Sequence, residues 1–204
     1  MSDFIWVEKY RPTTIDECIL PKSIKKTFQD FVDRGEIPNM LLSGPPGIGK
    51  TTVAKALCNQ LGADYYVING SDEGRFLDTV RTNAKNFAST VSLTSESKHK
   101  VIIIDEADNT TSDVQLLLRA SIEEFSKNCR FIFTCNYKNK IIDPLHSRCT
   151  VVDFSINKKD KPTIATQFFS RLTNILEQEK IDTDKKVVAQ LINQHFPDWR
   201  RVLN

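Results

Sequence analysis

One stretch of this 204-residue sequence has the spacing needed to hold a chain of phosphates: Gly44-Pro45-Pro46-Gly47-Ile48-Gly49-Lys50-Thr51. It fits the pattern G-x-x-x-x-G-K-[ST]. In that pattern glycines let backbone N–H groups close around an anion, a lysine reaches the outer phosphates and a hydroxyl holds Mg²⁺. The flanks suit it, with Met40-Leu41-Leu42 reading as a strand and Thr52-Val53-Ala54-Lys55-Ala56-Leu57-Cys58 as the start of a helix. Strand, turn and helix start bring the positive end of the helix dipole to the same anion. A glycine-rich turn with a chance Lys-Thr is the alternative, and both flanks argue against it. The expectation is a nucleotide site in which Lys50 reaches the β- and γ-phosphates and Thr51 holds Mg²⁺.

Further residues of the right type follow. Val101-Ile102-Ile103-Ile104 ends in Asp105 and Glu106. The first carboxylate would orient Mg²⁺ and its waters, and the second would polarise an attacking water. An ordinary acidic pair at a strand end is the rival, weakened by its place after a phosphate loop. Asn136, after the strand Arg130–Cys135, could hold the attacking water or the γ-phosphate without adding charge, and reads equally well as a turn asparagine. Asn69, at the end of Tyr66-Val67-Ile68, carries the same ambiguity. Arg148, in Ser147-Arg148-Cys149, reads by composition as a solvated surface arginine, and Arg200 as a charge on an exposed helix face. Arg81 and Lys85, one turn apart, read as a solvated face too.

The elements that must position these residues alternate. A helix is expected from an N-cap at Ser23 to about Asp33, closed by Gly35. The strand into the loop and the loop helix come next, then a strand over Tyr65–Ile68. A helix near Arg75 to Thr90 would carry Leu77, Val80, Ala84, Phe87 and Ala88 on one stripe. The Val101–Ile104 run suits a strand buried on both faces. A helix over Ser112–Ser126, the Arg130–Cys135 strand and a last strand over Thr150–Phe154 complete the series. Such alternation gives an α/β fold, a parallel sheet sandwiched by helices, with ligands at the carboxyl ends of the strands. Near Ser155 the composition turns polar. Helical patterns then run from Pro162 to about Lys180 and from Asp184 to His195, and a third starts behind an Asp198 cap. The expected division is an α/β nucleotide-binding domain over 1–155 and a small all-helical lid over 156–204, cut short at Asn204.

Hydrophobic content of 40% and charged content of 26% describe an ordinary soluble protein. No apolar run approaches the roughly 20 residues of a membrane span, and the first residues lack the features of a signal peptide. The expected location is the cytoplasm (the host's, for a phage) or the nucleus, without secretion or a membrane partner. Five cysteines form no C-x-x-C pair and three histidines lie far apart, so the expected metal is Mg²⁺ brought with nucleotide. A net charge of +2 gives no bulk attraction to a polyanion, and nucleic-acid binding would need a local basic surface.

Taken together, Trp6-Val7-Glu8-Lys9-Tyr10-Arg11-Pro12, the phosphate loop, Ile104-Asp105-Glu106-Ala107-Asp108, Phe133-Thr134-Cys135-Asn136 and Ser147-Arg148-Cys149 resemble the small subunits of sliding-clamp loaders. These are AAA+ ATPases of the replication factor C type. Thr51–Leu57 and Asn69–Asp72 look most like the phage small subunit. The resemblance implies an adenine pocket lined by Tyr10, Arg11 and Pro12, and ATP phosphates held by Gly44 through Thr52. It implies sensor roles for Asn136 and Arg200, and an arginine finger at Arg148 that reaches a neighbouring subunit's nucleotide. Asn69 would restrain Glu106 until DNA binds, and Arg81 and Lys85 would face a central DNA channel.

The implied activity is DNA-dependent ATP hydrolysis. ATP binding would assemble a spiral of subunits that opens the sliding clamp, and primer–template DNA would trigger hydrolysis and release. Two departures stand out. Many relatives carry two arginines where this chain has Arg119 and then Ala120, and the chain stops before the C-terminal collar that joins subunits in a ring. A non-hydrolysing assembly module and a small-molecule kinase are the rivals. Glu106, Asn136 and Arg148 together argue against the first, and phosphate release without an acceptor separates all three.

Overall fold

The computed structural model describes residues 5–71, 79–90 and 100–204 and, of residues 79 and 81, the backbone alone. Among them, strands β1 (Met40–Ser43), β2 (Tyr65–Asn69), β3 (Lys100–Asp105), β4 (Cys129–Cys135) and β5 (Thr150–Asp153) form one sheet. Its order is β2-β3-β4-β1-β5, and every pairing is parallel. Each strand must therefore return over a face of the sheet, and the helices between strands cover both faces.

Side chains alternate between the two layers as strand geometry requires. Met40, Leu42, Val101, Ile103 and Ile132 join a core with α2 (Lys22–Arg34) and α3 (Lys50–Gln60). Leu41, Ile102, Ile104, Phe131 and Phe133 face the other way, onto α4 (Lys85–Ser89) and α5 (Ser112–Glu124). Ile102, Ile103 and Ile104 are fully buried, each contributing roughly 1.5–3 kcal/mol over exposure. That explains the unbroken apolar run read from the sequence.

Two expectations need adjusting. α2 begins at Lys22, with Pro21 in the cap position and no side-chain cap bond. Ser23 lies inside the first turn, because the fixed φ of Pro21 starts the helix earlier than a serine cap would. At its other end Gly35 adopts φ 65°, as expected. The second adjustment is the helix expected near Arg75–Thr90. Its described part is a π-helical turn over Thr79–Ala84 followed by α4, and residues 75–78 lie outside the described residues. Val80, Ala84 and Ala88 are buried on one side, with Phe87 packed against the same core.

Beyond β5, helices α7 (Lys161–Gln178), α8 (Lys185–His195) and α9 (Trp199–Leu203) gather around a cluster of their own. Ile164, Phe168, Leu172, Val188, Ile192, Trp199 and Val202 form it. Asp184 caps α8 by accepting from Lys186 N at 2.8 Å, and Asp198 caps α9 by accepting from Arg201 N at 3.3 Å. Both short helices thereby satisfy end groups that water would otherwise have to solvate.

Candidate nucleotide site

The register of the sheet creates the site. β1 and β4 end level, Ser43 beside Cys135, and Gly44 N donates to Cys135 O at 3.2 Å. The loop from Gly44 to Gly49 therefore leaves the sheet beside Asn136 and turns into the first residue of α3, Lys50. Gly47 holds φ 72°, and a Cβ there would lie 1.9 Å from the Asp198 carboxylate. Glycine is required for both reasons. Its carbonyl accepts from Trp199 N at 3.2 Å, which seats the start of α9 on the loop.

Lys50 is buried, at 8% exposure. All three of its protons are used, donated to Gly44 O at 2.7 Å, Pro45 O at 2.8 Å and Asn136 Oδ1 at 2.9 Å. Burial lowers its pKa, and the carboxylates of Asp105 and Asp108 work against that shift. Lys50 and Asn136 are thus in direct contact.

At the end of β3, Asp105 Oδ1 accepts from Thr51 Oγ1 and Thr134 Oγ1, both at 2.6 Å. The Thr134 hydroxyl also accepts from Glu106 N at 3.0 Å. Sequence reasoning missed this role for Thr134, and its signal was a hydroxyl in an apolar strand two residues before Asn136. Glu106 sits in the left-handed region at φ 55°, a conformation that costs a non-glycine residue about 1–3 kcal/mol. Its carboxylate accepts from Ser71 Oγ and, at 3.1 Å, from Asn109 Nδ2. Asn69 does not make that contact among the described residues. Its side-chain oxygen accepts from Ser71 N at 3.0 Å, so it touches Glu106 only through Ser71. Asp108, also missed, is buried and accepts the N–H groups of Asn136 and Tyr137, each at 3.1 Å.

One cavity runs from this end to the N-terminal segment. Thr52 and Arg200 border it, and Tyr10, Arg11, Pro12 and Trp199 wall its far end. Tyr10 belongs to the segment that follows α1 (Trp6–Lys9). Trp199 stacks on Phe168 with ring centroids 4.0 Å apart.

The remaining candidates lie elsewhere. Arg148 follows α6 (Asp143–His146) and does not line the cavity. It donates to Glu123 Oε1 through Nε at 2.9 Å and Nη2 at 2.6 Å, and through Nη1 to Pro144 O at 2.9 Å. The bond from the Arg148 guanidinium, with the charge of Arg119 beside it, lowers the pKa of Glu123. Lys85 pairs with Glu124 at 3.3 Å. The side chain of Arg81 lies outside the described residues.

The ATPase family associated with various cellular activities (AAA) matches residues 40–157, more than half of the chain. The chain belongs to the AAA family. Within it, a sliding-clamp-loader large subunit of Escherichia phage RB69 is 44% identical over 99% of this chain and 63% of its own length. A replication factor C small subunit of Methanocella arvoryzae is 41% identical over the whole chain and 62% of its own length. The phage relative is thus named a large subunit, where the resemblance had pointed to a phage small one. This AAA chain spans a little under two thirds of the length of these relatives. A variant of Thermotoga maritima RuvB superposes with a TM-score of 0.71 at 21% identity, covering 96% of this chain and 63% of that one. That likeness speaks for the AAA fold alone.

Proposed function

We propose that this chain is the ATP-hydrolysing part of a sliding-clamp loader. The observation that carries it is the meeting of Lys50, Thr51, Asp105, Glu106 and Asn136 at the ends of adjacent strands, in a chain whose phage relatives are named sliding-clamp-loader subunits. The loop N–H groups and the start of α3 bind the phosphates, and Lys50 exchanges two carbonyls for phosphate oxygens. Thr51 and Asp105 form a hard oxygen pair suited to Mg²⁺, which keeps several waters and takes few protein ligands. That ion would neutralise charge on the phosphates. Glu106 accepts a proton from the attacking water, and Asn136 holds it beside the γ-phosphate. Asp108 fixes Asn136 through the backbone N–H, and Arg200 approaches from α9. Tyr10, Arg11 and Pro12 receive the adenine.

Residues 156–204 act as a lid on a domain formed by 1–155, with α9 resting on the phosphate loop. Arg148 serves a neighbouring subunit's nucleotide, so hydrolysis needs assembly. Lys85 and Arg81 meet the backbone of primer–template DNA, contacts that carry little sequence information. Asn69 restrains Glu106 at one remove, by fixing the turn that presents the Ser71 hydroxyl. The whole loader opens a clamp when ATP is bound and releases it after hydrolysis, in the cytoplasm or nucleus.

The test is phosphate release by the full-length protein, assembled with clamp and primer–template DNA and given no other acceptor. DNA should raise the rate, and Glu106→Gln should bind ATP while losing about 10²–10⁴ in turnover, the usual worth of a positioned general base. Phosphate release at the parent rate by Glu106→Gln would remove that residue from the chemistry. A rate indifferent to DNA would remove the DNA-dependent part of the proposal.

A further inference from the structure

Resting on the nucleotide assignment above, we propose that Arg171 on α7 is the positioning residue that holds the base end of the cavity in shape, and so determines affinity for the purine base.

The N-terminal segment is anchored in the core at Ile15, which is fully buried and donates its N–H to Gln60 Oε1 at 2.9 Å. The part before Ile15 that walls this end has less to hold it in place. α1 is one turn long and carries no buried residue. Arg171 braces the segment from α7. Its Nη2 donates to Tyr10 O at 2.7 Å and its Nη1 to Glu17 O at 2.8 Å. The fork therefore spans both ends of the stretch that contains Arg11 and Pro12. A planar guanidinium with several fixed donors can bridge two carbonyls in this way, and a lysine ammonium cannot reproduce the fork. Between the two anchors the turn is tied to itself, since Glu17 Oε2 accepts from Thr13 N at 2.7 Å and Thr14 N at 3.4 Å. A second contact comes from the C-cap of the same helix, two turns on: Glu179 accepts from the Tyr10 hydroxyl at 2.7 Å and from Lys9 Nζ at 2.8 Å.

Arg171 itself borders the cavity, as does Phe168 three residues before it. α7 thus supplies both a wall, through Phe168 stacked on Trp199, and the brace on the N-terminal segment. None of these bonds reaches the phosphate end, where Lys50, Thr51, Asp105 and Asn136 bond among themselves and to the loop. Loss of Arg171 should therefore separate the two ends of the ligand, weakening recognition of the base and sparing the phosphates.

The experiment measures binding of Mg·ATP, Mg·GTP and Mg·tripolyphosphate to the full-length protein. Arg171→Ala should weaken ATP binding by about tenfold to a hundredfold, the worth of one or two hydrogen bonds from a charged donor. It should leave tripolyphosphate affinity unchanged and narrow the preference between ATP and GTP. At saturating ATP its turnover in the assembled loader should match the parent's. Arg171→Lys should recover part of the ATP affinity, and Tyr10→Phe, which removes only the bond to Glu179, should shift ATP in the same direction by less. If Arg171→Ala does not fold, Arg171→Lys decides instead: it should still weaken ATP more than tripolyphosphate, and an ATP affinity equal to the parent's would overturn the assignment. Equal loss for ATP and tripolyphosphate, or an ATP affinity unchanged in folded Arg171→Ala, would overturn the assignment. A parent that binds neither ATP nor tripolyphosphate would instead overturn the nucleotide site.

Discussion

Lys50 is held by neutral oxygens, two carbonyls and an amide, inside the fold. Arg148 and Lys85 lie nearer the surface and are held by the carboxylates of Glu123 and Glu124, consecutive residues at the end of α5. The difference bears on what each cation can do without help. Lys50 can turn to a phosphate without leaving a counter-charge behind, and burial has already removed most of its water. Arg148 and Lys85 must leave a carboxylate, so a competing anion has to be brought to them. A neighbouring subunit's nucleotide and a DNA backbone are such anions. On the roles proposed above, the cation for the chain's own ligand and the cations for another molecule's carry different partners.

The strongest way to break this comparison is to test whether Arg148 acts across an interface. Two full-length variants would be mixed under conditions where subunits associate. Lys50→Ala supplies a finger without a site, and Arg148→Ala a site without a finger. The mixture should recover activity that neither shows alone, with a gain on the order of 10³–10⁵, the range for such arginines in other phosphate-loop enzymes. No recovery in an associated mixture would place Arg148 in its own subunit and remove the distinction drawn from Glu123.

Next in size is Lys50 itself. Lys50→Ala should weaken Mg·ATP binding by about a hundredfold or more in calorimetry, because a desolvated cation facing phosphates is worth several kcal/mol. If the affinity is unchanged, the neutral cradle is a folding device and the phosphate end lies elsewhere.

How much of this was legible in the sequence follows the same division. The phosphate end is encoded locally: the loop, Asp105-Glu106 and Asn136 each close a strand, and a parallel sheet brings such ends together whatever the details. The three C-terminal helices were legible from apolar spacing and, for the last, from its Asp198 cap. Partners set by distant packing were not. Glu123 beside Arg148, Arg171 beside Tyr10 and Ser71 beside Glu106 depend on how elements pack, and no short pattern marks them. Thr134 and Asp108 lie between these cases, near a motif but with their bonds across strands. The serine cap at Ser23 failed because the proline before it already fixed the start of the helix.

The smallest expected effect concerns Lys85, and it sharpens the comparison most. Its pair with Glu124 is exposed, with about half of each side chain in water, and such pairs contribute roughly 0–1 kcal/mol. Glu124 should therefore compete weakly with a DNA phosphate. In the assembled loader Glu124→Gln should tighten primer–template binding by a few-fold at most, about what 1 kcal/mol allows. Lys85→Ala should weaken it and reduce the slope of log affinity against log salt by about one unit, the share of a single neutralised phosphate. The double variant decides whether the two effects share a cause. If Glu124 acts by holding Lys85, adding Glu124→Gln to Lys85→Ala should change little, because the cation it restrains is gone. If Glu124→Gln tightens binding equally in both backgrounds, Glu124 repels DNA directly as a negative charge near the channel. The pair with Glu124 would then not hold Lys85 back from DNA, and the parallel with Arg148 and Glu123 would fail at this position.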